Sequence, residues 1–192
     1  PDLFQQWGGG ELVAQAEAGY LMDLSAVLAD DVARLGGAVA PWQHQGVTYG
    51  LPFQFGVEGI WYSKSLFEQA GITEEPATMD ELNEAVQKLK DAGIVPIAVG
   101  AGDKWPAAHW WYNFALRSCS KDVIQASGTT FDFSDPCFVD AGEQLEAFIA
   151  TEPFQPQFTS TLAQQGATSS AGMLATGNAA MELMGHWNIF VL

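Results

Sequence analysis

The sequence predicts a layered α/β protein. Short apolar, strand-like stretches alternate along the chain with helical ones. One helix carries both of its end signals and runs through a short connection into an apolar strand. The 192 residues, 48% hydrophobic and 16% charged, can also bury a substantial core, which excludes a disordered tail. That length fits one large domain or one and a half ordinary ones.

In chain order, Leu3-Phe4 reads as a short strand running into Trp7-Gly8-Gly9-Gly10, where glycines permit close backbone approach and unusual dihedrals. Residues 11–18 form a short helix with Gly19 just past its end. Residues 20–28 continue as an apolar turn and a second helical segment, and 33–45 carry little regular signal. Residues 47–52 form a strand that Pro52 ends, and the β-branched and aromatic run 57–62 suits a buried strand. A short helix over 65–70 stops at Gly71. Thr78-Met79-Asp80-Glu81 is a capping box, followed by Leu82, Ala85, Val86 and Leu89 at helical spacing and by Gly93. Residues 94–99 form an apolar strand interrupted by Pro96. Pro106 opens a helix to Arg117. A helix begins at Asp135-Pro136 with Val139, Leu145, Phe148 and Ile149 on its apolar face. Residues 154–165 are loop-like, 168–176 form a helix ended by Gly177, and 179–184 a strand entering Gly185-His186-Trp187.

Seven Lys and Arg stand against 23 Asp and Glu, a formal charge of −16. Such a surface repels phosphate backbones and anionic lipids, which excludes nucleic-acid binding through a basic patch. No apolar run approaches the roughly 20 residues of a membrane span. Pro1 is not a start methionine and the chain stops on the apolar run Asn188–Leu192, so an internal piece of a longer chain is expected. Cys119 and Cys137 either close a disulfide or remain two buried thiols. The scattered His44, His109 and His186 suggest no zinc site, and neither a metal nor a cofactor is expected. Nucleotide-binding glycine patterns and a Gly-x-Ser-x-Gly elbow are absent from the sequence.

Aromatic residues are the strongest chemical signal, at 12% of the chain with seven tryptophans. Trp7 precedes the triple glycine, Trp105 lies in Gly102-Asp103-Lys104-Trp105-Pro106, and Trp187 follows a strand end. An indole face is a flat apolar platform with a negative quadrupole, on which the C–H face of a sugar ring packs while nearby polar groups bond its hydroxyls. For each tryptophan, core or rim packing competes with that role. Trp61, Trp110 and Trp111 lie within elements, and at least one of the helical pair is structural. Glycosidases also combine tryptophan platforms with paired carboxylates, for which Glu58, Asp103 and Glu182 are the candidates; a carbohydrate-active hydrolase is therefore the alternative function.

The order of several segments resembles family 1 extracellular solute-binding proteins, the maltose-binding-protein-like sugar-binding components of bacterial ABC transporters. The segments are Pro1-Asp2-Leu3-Phe4 with Trp7 and the glycines, Tyr49–Pro52, Trp61–Phe67, Ala70-Gly71-Ile72, Thr78–Leu82, Lys88–Ile94, Asp103–Pro106, and Gly177–Met181 leading to Gly185-His186-Trp187. The resemblance implies a type II periplasmic-binding-protein-like fold of two α/β lobes, present here as a fragment lacking parts of both. Residues 1–56 would belong to the first lobe, 57–62 to a crossover strand and 63–192 to the second lobe. It also implies capture of a mono- or oligosaccharide by hinge closure and delivery to membrane permease subunits, without catalysis, by a monomer in the periplasm or outside the cell, free or lipid-anchored. Carried over by position, Trp7 matches a first-lobe loop lining the cleft, and Trp187 the aromatic that stacks on sugar. Asp103, Lys104 and Trp105 match a second-lobe loop that supplies polar contacts. Glu58 falls near the crossover, and His109 is a further contact. A solute of another class, such as a polyamine or a metal, is a third reading: the abundant tryptophan and the lack of a His/Cys ligand set argue against a metal, while the acidic loops leave room for a cationic solute.

Overall fold

The computed structural model describes residues 2–192. Pro1, which opens the first of the motifs above, lies outside the described residues. Eight α-helices are described: α1 (Gly10–Glu17), α2 (Ala29–Leu35), α3 (Lys64–Gln69), α4 (Met79–Asp91), α5 (Trp105–Ser118), α6 (Lys121–Thr130), α7 (Pro136–Ala150) and α8 (Ser170–Ala175). The strands are β1 (Gln43–His44), β2 (Val47–Thr48), β3 (Glu58–Tyr62), β4 (Ile97–Ala98) and β5 (Met181–Gly185). The chain separates into two compact units: one comprises the chain up to Phe55 with Lys121–Phe133, the other Gly56–Ser120 with Ser134–Leu192. Residues 121–133, which the sequence boundaries ran on with 63–192, therefore group with the start of the chain.

In the first unit, Gly8 has a φ of 79° and its Cα faces Pro41, where a Cβ would fall 2.7 Å from the carbonyl oxygen. Gly9 N–H donates to that same oxygen at 2.7 Å. The glycine run thus allows close backbone approach, as expected. Leu12 and Val39 supply the buried apolar contacts, and the Phe131 ring lies against Gly10 at the start of α1. The expected strand at Leu3-Phe4 is absent, because both side chains are exposed and no partner strand pairs with them. The helix expected within 20–28 forms instead as α2, and 36–42 wind into a 3-10 helix.

The second unit is built on a three-stranded sheet in the order β3-β5-β4, with β3 antiparallel and β4 parallel to β5. Every residue of β5 is buried, as a central strand covered on both faces requires. Helix α4 forms as expected. Thr78 Oγ1 accepts from Glu81 N–H, the Glu81 carboxylate accepts from Thr78 N–H, and Leu82, Ala85, Val86 and Leu89 are buried. Helix α5 packs along α7, and α8 covers β4 and β5. On α7 the buried face is Phe138, Ala141 and Phe148; Val139 and Ile149 are exposed, a correction of the expected stripe that follows from where α5 lies.

Cys119 and Cys137 form a disulfide, joining the C-cap of α5 to the first turn of α7 with Cα atoms 5.1 Å apart. It closes a loop whose ends are 18 residues apart, for which the chain-entropy estimate is about 3 kcal/mol. The double variant Cys119→Ser/Cys137→Ser is expected to lose about that much stability in urea unfolding, and an unchanged midpoint would show that the bridge contributes nothing.

Candidate functional site

Three elements of the second unit meet at one end of its sheet. The antiparallel register sets Glu58, the first residue of β3, opposite Gly185, the last of β5. Beyond Gly185 the chain enters a 3-10 helix, His186–Phe190, that carries Trp187. Helix α5 starts nearby with Trp105, Pro106 sits in its first turn, and His109 follows one turn later.

The Trp105 and Trp187 ring centroids are 6.5 Å apart with planes tilted by 57°. His109 lies 5.2 Å from the first ring and 6.4 Å from the second. Tilted and edge-to-face contacts suit the aromatic quadrupoles, so the three rings form one angled wall rather than a slot. Trp105 is 37% exposed and Trp187 half-buried, whereas His109 is only 8% exposed. His109 Nε2 is 3.1 Å from Glu58 Oε1, and the Glu58 side chain remains 40% exposed. Burial holds the His109 imidazole below its ordinary pKa, and the Glu58 charge opposes that shift more weakly. Burial thus favours the neutral ring, whose Nε2 faces the Glu58 carboxylate. The exposed products of this packing are indole surface and a carboxylate beside it, a combination that can hold a ring with one apolar face and a hydroxyl rim.

The profile of the family described as bacterial extracellular solute-binding protein matches residues 1–192. The chain belongs to that family. An ABC transporter extracellular-binding protein of Pyrococcus horikoshii, uncharacterized, is 24% identical over 97% of this chain and 42% of its own length. The alpha-glucosides-binding periplasmic protein of Rhizobium meliloti is 35% identical over 55% of this chain and 24% of its own. Among solved structures, a chitin oligosaccharide binding protein superposes with a TM-score of 0.79 at 28% identity, covering 95% of this chain and 45% of that one. This solute-binding chain thus spans less than half the length of each of these relatives, all named as binding proteins. Its architecture is the α/β type II solute-binding fold.

Of the residues singled out in the sequence, the structure of this solute-binding protein brings together Glu58, Trp105, His109 and Trp187. Asp103 is committed to the backbone: its Oδ2 accepts from Ala163 N–H at 2.7 Å. Lys104 is exposed and takes a left-handed φ of 69° just before α5. Trp7 belongs to the first unit, where it is 80% exposed. Trp61 and Trp110 are structural: Trp61 Nε1–H donates to Met184 O at 3.1 Å, and buried Trp110 stacks on Phe148. Glu182 is enclosed, 1% exposed, and accepts from Asn188 Nδ2 at 2.9 Å, out of reach of any substrate in this structure. No group of three or more His, Cys, Asp or Glu that could hold a metal occurs among the described residues.

Sequence reasoning passed over Tyr112, whose ring centroid is 6.3 Å from that of His109, and the glycine beneath Trp187. The i, i+3 spacing of His109 and Tyr112 on one helix face was the available signal for the first. A Cβ on Gly185 would fall 2.2 Å from two atoms of the Trp187 ring, so the indole lies directly on the glycine backbone. Gly185→Ala is expected to displace Trp187 and change the near-UV circular dichroism while the far-UV spectrum persists. Gly59→Ala, where nothing lies within 4 Å, serves as the control. Identical near-UV spectra for Gly185→Ala and wild type would contradict this packing.

Burial raises the Glu182 pKa above its ordinary 4.5, partly offset by the neighbouring Ser170 hydroxyl and the hydrogen bond from Asn188. Between 4.5 and the raised folded value the native state binds the extra proton, so wild-type stability falls as pH rises through that window. Glu182→Gln removes this dependence. Its stability relative to wild type should climb across the window and stay level below it in urea unfolding, and a difference that does not vary with pH would contradict the assignment.

Proposed function

We propose that this solute-binding protein captures a carbohydrate outside the cytoplasm and delivers it to the permease of an ABC importer. The observation that carries the reading is the angled Trp105–Trp187 wall with the Glu58 carboxylate at its edge. A pyranose presents an apolar C–H face and a rim of hydroxyls. The first packs on indole, and the second donates to a carboxylate that stays exposed. An anionic solute would meet that carboxylate and a chain of formal charge −16. The names of the Rhizobium relative and the chitin oligosaccharide neighbour, both carbohydrate-directed, support the same class.

On this reading the two compact units are parts of the two lobes of the complete protein, which works as a monomer. Capture is a shift of population toward a ligand-bound form, driven by the differential affinity of the sugar, and the sugar leaves chemically unchanged. Lys104, exposed and immediately before Trp105 in the chain, supplies a polar group beside the stacking face, whereas Asp103 is held by the backbone of Ala163.

Calorimetric titration of the full-length protein with chitotriose, maltose and raffinose tests the proposal. At least one sugar should bind and be recovered intact, and Trp187→Ala should weaken binding by about 1 kcal/mol or more. Release of shorter sugars, lost in Glu58→Gln, would establish a hydrolase instead. Binding unaffected by Trp187→Ala would remove the wall from the site.

A further inference from the structure

We propose that His109 is a positioning residue, acting on the ligand through Glu58, whose carboxylate it orients, rather than by direct contact. The inference rests on the reading above, that the Trp105–Trp187 wall and Glu58 hold a sugar. The accessibilities separate the two partners. A ligand approaching the wall meets Glu58, whose side chain is 40% exposed, whereas the His109 side chain is 10% exposed. The imidazole is enclosed by Trp105, Tyr112 and Trp187, with ring centroids at 5.2, 6.3 and 6.4 Å. Ring packing on these sides fixes its plane, and a fixed plane fixes the direction of the Nε2–H bond.

Nε2 lies 3.1 Å from one oxygen of the carboxylate, Oε1, within reach of an N–H donor. A glutamate side chain on a strand edge otherwise samples several rotamers, and ordering it on ligand binding would oppose association. Held by His109, Glu58 presents Oε2 in one place as an acceptor for a ligand hydroxyl. The chemistry of the donor also matters. A lysine or arginine at this position would neutralise the carboxylate and weaken it as an acceptor, whereas a neutral imidazole orients it and leaves its charge available. Burial of His109 keeps the ring in that neutral form.

His109 also packs between two indoles, so a simple truncation would confuse support of the wall with orientation of Glu58. Two variants separate these roles: His109→Phe keeps an aromatic ring and removes the donor, and His109→Gln keeps an N–H donor without the ring. Chitotriose and maltose are titrated into the full-length wild type, into both variants, and into each variant combined with Glu58→Ala. The proposal expects His109→Phe to weaken binding by about tenfold, the scale of a hydrogen bond to a charged group. It expects His109→Gln to restore most of that loss, and neither substitution to have a further effect once Glu58 is alanine. Equal losses for Phe and Gln, or a His109→Phe loss that persists without Glu58, would overturn it in favour of packing or direct contact. In the ligand-free protein, 15N chemical shifts should show the proton of His109 on Nε2, with the signature changed by Glu58→Ala. A proton on Nδ1 would overturn the proposal whether or not a sugar binds. A wild type that binds neither sugar while keeping the Nε2 signature would fault the carbohydrate reading and, with it, the ligand role of this pair.

Discussion

Glu58 stands opposite Gly185 because β3 and β5 pair over five residues, with Tyr62 against Met181 at the far end. Glu58 and, just past the end of β5, Trp187 inherit their positions from that ladder. A strand alternates its side chains, so a slip of one residue would turn Glu58 to the other face and remove it from His109. The slip is blocked on the β5 side, where every residue is buried and each side chain has an assigned place. Trp61 adds a cross-strand tie through its indole N–H to Met184 O. The exposed chemistry at the end of the sheet is thus set by packing in its interior.

Two carboxylates on neighbouring strands show how environment divides identical side chains between roles. Glu182, one strand inward, is enclosed and bonded to Asn188, and its raised pKa is the mark of a buried group that the fold tolerates. Glu58, at the edge, keeps part of its surface in solvent and has His109 Nε2 3.1 Å from one oxygen. The indoles divide in the same way. Trp110 is spent in the core against Phe148, while Trp105 and Trp187 are held at the surface by a helix start and by the glycine under the ring.

Sequence patterns revealed those features whose causes are local. The capping box and the periodic apolar face of α4 are written in consecutive residues, and the helix follows them. Features set by distant partners were not legible. Leu3-Phe4 looks like a strand, but strand formation needs a neighbour and none is there among the described residues. Helix α6 ends in Gly128, Thr129 and Thr130, weak helix formers that hid it. On α7 the choice between Phe138 and Val139 as the buried residue depends on where α5 lies. At the site, Trp105 and Trp187 stood out because tryptophan next to loops is chemically conspicuous. Their proximity to each other, and the pairing of Glu58 with His109 from 51 positions away, depended on the sheet register and could be suspected only through the family resemblance.

On the proposed reading, solute is held at the exposed indole wall beside the Glu58 carboxylate. Assigned indole N–H resonances of the full-length protein, followed while chitotriose or maltose is added, test this most directly. The signals of Trp105 and Trp187 should move together and saturate, while those of Trp61 and Trp110, committed to the sheet and the core, stay in place. Perturbations that bypass Trp105 and Trp187 while a sugar binds would contradict it.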